Sequence, residues 1–424
     1  MKKNLRLCTL CGNAELEEFA DFGRLALAGA FLKDSAKFNE KKYRLRLGFC
    51  NHCYGVQVID HIDPNVLFRN YFYSSSNIKT LSDHFAELAD EITLKFINDK
   101  SKDVVIEFGC NDGVLLKPLS ENGITNIIGI DPADNIVKKI NIENIDIIND
   151  YFNVDVSLKI RKKYGKAKVI LANNVFAHIS EIRNTAESVS SLLEDDGVFI
   201  FEVHYLGKIL DEMQYDFIYH EHLYYHSLTS LVNFLKINNL EVFDVKFINI
   251  HAGSIRVYTS KRNSIYSKKI SPSVESILRN EREKKFNNIK TFNNLNKNIK
   301  MHTNELVSLI KDLKSKNKTI LGYGASGRAN TVLQLSKINS QLLPYIIDDA
   351  PEKHGYLTPG SHIPIISREI LNTPESPDYL LLFAWSFADE IIYKNAKFLE
   401  EGGKFIVPLP KINIVGTEQT VKKI

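Results

Sequence analysis

The sequence predicts an α/β protein of three parts: a small N-terminal metal module, a central domain on a mostly parallel sheet, and a smaller α/β domain at the C-terminus. Three observations predict it. Two Cys-x-x-Cys pairs lie within the first 70 residues; short apolar runs alternate with helix-like stretches from Asp103; and a strand, glycine loop, helix, strand pattern restarts near Lys318. A chain of 424 residues exceeds one ordinary core and suffices for two or three. The parts are placed at residues 1–70, 71–300 and 301–424.

Composition sets limits. An apolar share of 44%, a charged share of 25% and a net charge of +3 are ordinary globular values, which argue against nucleic-acid or membrane partners. The start MKKNLRLCTLCGN holds no apolar run of signal length, and no later run reaches the roughly 18 residues of a membrane span. A soluble cytoplasmic protein is expected.

Taken in order, Cys8-x-x-Cys11-Gly12 and Cys50-x-x-Cys53 can each wrap one edge of a tetrahedral ion. Four thiolates favour zinc and leave no open position, so the site is structural. In a reducing compartment such pairs suit a metal better than disulfides. Gly12 fits a tight turn that lets backbone N–H groups point at sulfur. A helix follows from about Leu81 to Ile97, with Phe85, Leu88 and Ile92 on one face. The runs VVIEF, IIGID, VIILANN and GVFIFEV read as parallel strands, and EVFDVKF with SIRVYTS as an antiparallel pair closing the sheet. Residues 265–318, charged and helix-forming, read as helices bridging two domains.

The stretch Val104 to Gly113 is a buried strand running into a turn with Glu107, Gly109, Asn111, Asp112 and Gly113, in the pattern E-x-G-x-N-x-G. A carboxylate at a strand end can accept hydrogen bonds from an ammonium, as the methionine part of S-adenosylmethionine (SAM) requires, whereas a dinucleotide needs a helix N-terminus free for pyrophosphate. Asp131 ends the next strand, placed for ribose hydroxyls; Asp150 and Phe152 follow for the adenine amino group and ring face; Asn173-Asn174 ends the strand after that. Together these residues predict a Rossmann-like, class I SAM domain.

The sequence here resembles the zinc-containing sugar C-methyltransferases that act on nucleotide-linked 4-keto deoxysugars. The resemblance rests on CTLCG, CNHCYGVQ, YFYSSS, IEFGCNDGVLL, LANNVFAHI, YDFIYHEHLYYHSL, HAGSIRVY, GYGASGR and IPI, spread in one order from residue 8 to 365. Methylating a carbon next to a carbonyl requires a base near neutral pKa and a group that steadies the enolate. The segment Tyr215 to His222 packs tyrosine, two imidazoles and carboxylates together. The resemblance carries the roles of base and supporting acid onto His222, Glu221 and Tyr219, with Glu221 orienting the imidazole, and sets Tyr73 and His220 against the sugar. The histidines flank the glutamate two apart, so the H-E-x-x-H zinc motif is absent. His178, His204 and His251 lie near strand ends, where a lone histidine is more often simply hydrogen-bonded.

In the third part, Gly322-Tyr323-Gly324-Ala325-Ser326-Gly327-Arg328 opens a helix, its amides and the Ser326 hydroxyl poised for an anion. G-x-G-x-x-G with Asp348-Asp349 beyond invites an NAD reading. Against it, no second nucleotide-binding half is legible in the last 75 residues, and methyl transfer involves no net redox change. The resemblance implies that this part helps hold the sugar nucleotide, with Gly324, Ser326, Arg328 and Lys353 near its phosphates. Two rival functions stay open: an O- or N-methyltransferase, and a binding module with a SAM-domain scaffold.

Overall fold

The computed structural model describes residues 7–13, 15–34, 39–69, 76 and 79–417. The chain divides into two compact units, interleaved in sequence rather than consecutive. The first holds Met1–Glu17, Gly48–Leu206 and Leu223–Ile289; the second holds Glu18–Leu47, Gly207–His222 and Lys290–Ile424. Neighbouring strands β1 (Glu17–Ala26) and β2 (Lys42–Phe49) fall almost wholly in the second.

In the first unit, β3 (Val56–Val58) belongs to the metal module, and the helix Lys79–Phe96 follows with Leu81, Phe85, Leu88, Ile92 and Phe96 buried at three- and four-residue spacing. The strands β4 (Val104–Phe108), β5 (Asn126–Ile130), β6 (Ile145–Ile148), β7 (Ala167–Asn173) and β8 (Leu193–His204) come next. A two-residue β9 (Tyr224–Tyr225) pairs antiparallel with β3, and β10 (Leu240–Ile248) with β11 (Ser254–Lys261). The seven-stranded sheet has the order β10-β11-β8-β7-β4-β5-β6. β4 and β7, central and parallel, are buried along their whole length, which is why their sequences are nearly continuous apolar runs instead of alternating ones. The expected antiparallel closing pair is present.

Burial also recruits charge. Glu281, fully enclosed, accepts from the Leu228 and Thr229 amides, the Thr229 hydroxyl and the Tyr205 hydroxyl at 2.6–2.9 Å. It thereby satisfies donors at the N-terminus of the helix Leu228–Ile237, whose Ser227 and Ser230 also form a capping box. On the sheet, Arg256 lies 2.7 Å from buried Glu202 and 3.1 Å from Glu91, with His84 2.8 Å from Glu202.

In the second unit, the helix Ile289–Ser315 buries Phe292, Leu295, Ile299, His302, Leu306, Ile310 and Leu313. The strands β12 (Ile320–Tyr323), β13 (Ile346–Ile347), β14 (Ile365–Ile366), β15 (Tyr379–Leu382), β16 (Lys404–Val407) and β17 (Asn413–Val415) form one sheet, ordered β14-β13-β12-β15-β16-β17. Only the β16–β17 pairing is antiparallel. Counted from β12 this is the doubly wound order 3-2-1-4-5-6, which corrects the expectation that no second half follows the glycine loop. That half is built from strands of three or four residues and the short helices Ala388–Lys394 and Ala396–Glu400, too brief to show a period. Among the described residues no helix is long and apolar enough to cross a membrane.

Candidate functional site

The four paired cysteines are all buried, and their sulfurs lie within 4.8 Å of one another. Cys8 and Cys53 sulfurs are 3.5 Å apart and those of Cys11 and Cys50 3.7 Å. A tetrahedral ion with bonds of about 2.3 Å sets edges of about 3.8 Å, so the quartet fits zinc. The neighbouring Cys50 sulfur pushes the Cys8 thiol up to about 12 and Cys53 up as well, while hydrogen bonds from those two thiols hold Cys50 low: without a cation among them the sulfurs cannot all be thiolates. Gly12, at φ +71°, carries the turn; a Cβ there would come within 2.6 Å of the Arg183 guanidinium. The amide of Gly12 donates to the Cys8 carbonyl at 2.8 Å, while the Cys53 amide points at sulfur, 3.5 Å from Cys50 Sγ.

A residue that sequence reasoning missed completes this centre. Gln57, fully buried on β3, donates from Nε2 to Cys8 Sγ at 3.0 Å, and its Oε1 accepts from the Thr9 amide and hydroxyl at 3.2 and 2.5 Å. The Thr9 and Tyr224 hydroxyls lie 2.9 Å apart. Such outer groups orient thiolates and hold their charge. The one sequence signal for Gln57 was its place in CNHCYGVQ.

At the C-terminal end of the large sheet, Glu107 is the next-to-last residue of β4 and Asn173 closes β7, one strand away. Asn173 Nδ2 donates to Glu107 Oε1 at 3.2 Å; Glu107 Oε2 and Asn173 Oδ1 are buried and lack partners among the described residues. Burial pushes the Glu107 carboxyl up to about 8. Two orphaned acceptors side by side are what an ammonium would satisfy. The turn beyond is bent by Gly109, Asn111 and Gly113, at φ +71°, +50° and +82°. A Cβ on Gly109 would meet Val175 at 2.6 Å, so the position demands glycine on both counts. Asp131 accepts the amides of Asn111 and Ala133, one on each oxygen, at 2.9 Å. Asp112 accepts from the Ser76 amide and hydroxyl at 3.1 and 2.7 Å, and Asp150 from the Tyr151 amide at 2.8 Å. Phe152, expected over adenine, is given to the core: its ring stacks on Phe108 at 4.6 Å and 5°. At the same strand end Tyr151 is half-buried, 5.3 Å beneath the Arg69 guanidinium.

The Tyr215–Phe217 turn and the Tyr-His-Glu-His run after it belong to the second unit. His222 Nδ1 lies 2.7 Å from the Phe217 carbonyl, and the imidazole packs at 4.1 Å on the Tyr219 ring. A carbonyl only accepts, so Nδ1 carries the hydrogen and Nε2 the lone pair. At Nδ1 the imidazole is oriented by a backbone carbonyl. Burial pushes the Glu221 carboxyl up to about 7. His220, expected against substrate, is turned inward: it is 2% exposed, and its Nε2 lies 3.1 Å from the Tyr43 carbonyl. Tyr73 lies outside the described residues. His178 packs edge-on to Phe68 at 5.7 Å, and His251 takes φ +51° in the β10–β11 turn.

In the glycine loop, Ser326 caps the helix Gly327–Leu335, accepting from the Ala329 amide at 3.2 Å, and Gly324 takes φ +94°. The two cations expected near phosphate have partners of their own. Arg328 lies 2.6 Å from Asp216, and Lys353 donates to the Ala325 carbonyl at 2.8 Å and lies 3.2 Å from Asp348.

Family models match the whole of this architecture: a "Putative zinc binding domain" over residues 8–68, a methyltransferase domain over 81–245 and a C-methyltransferase C-terminal domain over 249–410. The chain is 32% identical to the C-methyltransferase NovU of Streptomyces niveus over 415 residues, 98% of each protein. Solved structures with partial likeness include the magnesium protoporphyrin IX methyltransferase ChlM of Synechocystis with bound SAM, at 12% identity and a TM-score of 0.32 over 42% of this chain and 79% of that one. The CcbJ methyltransferase of Streptomyces caelestis matches at 12% identity and 0.34 over 45% of this chain and all of that one. Three matched modules in order, a cysteine quartet of zinc dimensions and a relative at full length carry the assignment: the chain is a SAM-dependent, zinc-binding methyltransferase and belongs to the C-methyltransferase family that includes NovU.

Proposed function

We propose that the enzyme methylates a carbon next to the carbonyl of a nucleotide-linked keto-deoxysugar, with His222 as the base. The observation that carries this reading is the imidazole itself, held through Nδ1 by the Phe217 carbonyl and packed against the Tyr219 ring, so that Nε2 is the nitrogen able to take a proton. Bound SAM supplies an electrophilic methyl group on a sulfonium. His222 Nε2 takes the proton from the carbon; the C–H electron pair passes into the enolate, whose carbon is the nucleophile that methyl transfer needs. Tyr219, and Tyr73 by the resemblance, steady the enolate oxygen, and Glu221 offsets the charge of the imidazolium before its proton leaves to solvent.

Glu107, Asn173, Asp131, Asp150 and the Gly109–Gly113 turn are assigned to SAM, and the part from residue 301 on to the sugar nucleotide. The second assignment is supported by the chain's division, which places the Tyr-His-Glu-His run and the glycine loop in one compact unit. Ser326, Gly324 and the loop amides are its phosphate donors. A nucleotide sugar and four reduced cysteines suit the cytoplasm.

The test is solvent deuterium exchange into dTDP-, CDP- and GDP-linked 4-keto deoxysugars without SAM. Exchange at the carbon beside the carbonyl is expected, and His222→Asn should lower both exchange and turnover at least about a hundredfold. Turnover without exchange, with an oxygen or nitrogen of the sugar methylated, would replace the reading with O- or N-methylation.

A further inference from the structure

The arginine of the glycine loop is built into the turn that carries the catalytic segment. Arg328 Nε donates to Asp216 Oδ2 at 2.7 Å, and Nη2 lies 2.6 Å from the same oxygen. Trp385 Nε1 donates to it as well, at 2.8 Å. Asp216 is fully enclosed. The guanidinium lies over the Phe217 ring at 4.1 Å and over the Trp385 ring at 5.0 Å, and Nη1 donates to the Ser386 hydroxyl at 3.3 Å. One cation thus grips both the side chain before Phe217 and the side chain of Phe217. The carbonyl of that same residue receives His222 Nδ1.

We infer that Arg328, Asp216 and Trp385 form a clamp that fixes the Phe217 carbonyl and so holds His222 in the tautomer with its lone pair on Nε2. Three features support a positioning role over simple cohesion. A buried ion pair contributes little net stability, so cohesion alone is a weak reason for one on this turn. Two hydrogen bonds, from Arg328 Nε and Trp385 Nε1, converge on one carboxylate oxygen of a three-residue turn and add to the turn's own backbone bonds in fixing the Phe217 carbonyl. The two faces of the clamp come from residues 112 and 169 positions further along the chain, so the helix Gly327–Leu335 and the turn after β15 set the geometry of the base. On this account Arg328 is a positioning residue and makes no contact with substrate phosphate. The inference rests on His222 being the base.

The experiment uses the full-length, zinc-loaded enzyme with Trp385→Phe, which keeps the ring and removes one donor, Asp216→Asn and Arg328→Lys. Nitrogen-15 spectra of histidine-labelled protein, with His222 assigned by its Asn variant, read the tautomer directly. Wild type should show Nδ1 protonated and Nε2 bare; the clamp variants should show mixed tautomers. Their kcat and deuterium exchange should fall about ten- to a hundredfold, with KM for the sugar nucleotide within about threefold. Trp385→Phe, the mildest change, should fall least. A KM rise of tenfold or more in Arg328→Lys with kcat retained would overturn the inference in favour of a phosphate contact. An unchanged His222 spectrum in all three folded variants would overturn it too. Near-normal turnover in His222→Asn would instead remove His222 as the base, while the tautomer spectra would still report whether the clamp orients it.

Discussion

Binding of SAM should weaken steeply as pH falls below 8, and the cause is one carboxylate. Glu107 is 3% exposed, its first oxygen accepts from Asn173, and burial pushes its carboxyl up to about 8, with the charges of Asp131 and Glu202 adding to the shift. In the empty protein at neutral pH it holds a proton. An ammonium requires the ionised form, so binding expels that proton, and affinity falls by up to tenfold, or about 1.4 kcal/mol, per pH unit below 8. Between pH 7 and pH 6 the carboxylate alone sets a loss of about ninefold, which an α-ammonium of pKa about 7.7–8.0, slightly deprotonated at pH 7, trims to about eightfold. Calorimetry in two buffers of different ionisation heat should find about 0.8 proton released at pH 7. Glu107→Gln should bind more weakly but with a flat profile. The sign for stability runs the other way from a usual acid. The folded pKa lies above the ordinary 4.5, so the empty fold holds a proton that the unfolded chain gives up, and stability falls as pH rises from 4.5 to 8. Equal affinities at pH 6 and pH 7, with no proton released, would refute the reasoning.

Three other outcomes are expected. Gln57→Leu keeps the volume but removes the donor to Cys8 Sγ, and should weaken zinc roughly ten- to a hundredfold, read as faster metal transfer to a chromophoric chelator. Arg256→Ala leaves fully buried Glu202 with His84 as its remaining ion-pair partner, and should cost about 3–5 kcal/mol, measured as a lower urea midpoint. Glu221, pushed up to about 7 by burial, must be ionised to favour an imidazolium beside it, so kcat/KM should rise with pH through about 7. In Glu221→Gln that limb should vanish, and its persistence would assign it to another group.

How far the sequence carried depended on whether a feature is local. The cysteine quartet was legible because residue identity and spacing alone define a tetrahedral donor set. The strand ends at Glu107, Asp131 and Asn173 were legible because buried parallel strands read as apolar runs whose first polar residue marks the edge. Gln57 and Trp385 were not, since a single amide or indole has no periodicity and gains meaning only from a partner 49 or 169 positions away. The direction of Phe152 was not legible for a related reason: a ring just past a strand can turn to ligand or to core, and only the fold brings it against Phe108 of β4, two strands away.

The glycine loop shows most plainly what a motif does and does not fix. G-x-G-x-x-G set the backbone: Gly324 takes φ +94°, where a Cβ would meet Ala384 at 3.1 Å, and Ser326 caps the following helix. The doubly wound strand order around it is the one that elsewhere holds dinucleotides. Yet Asp348, the carboxylate at the end of β13 that a ribose would need, already faces the Lys353 ammonium, which also donates to the loop's Ala325 carbonyl. A dinucleotide would have to displace that pair, losing a charge-assisted contact for a neutral hydroxyl. Arg328, the other cation of the loop, is committed to Asp216. The loop keeps its geometry while the cations around it are spent on the protein's own carboxylates, so the motif by itself fixes a backbone shape and not a ligand.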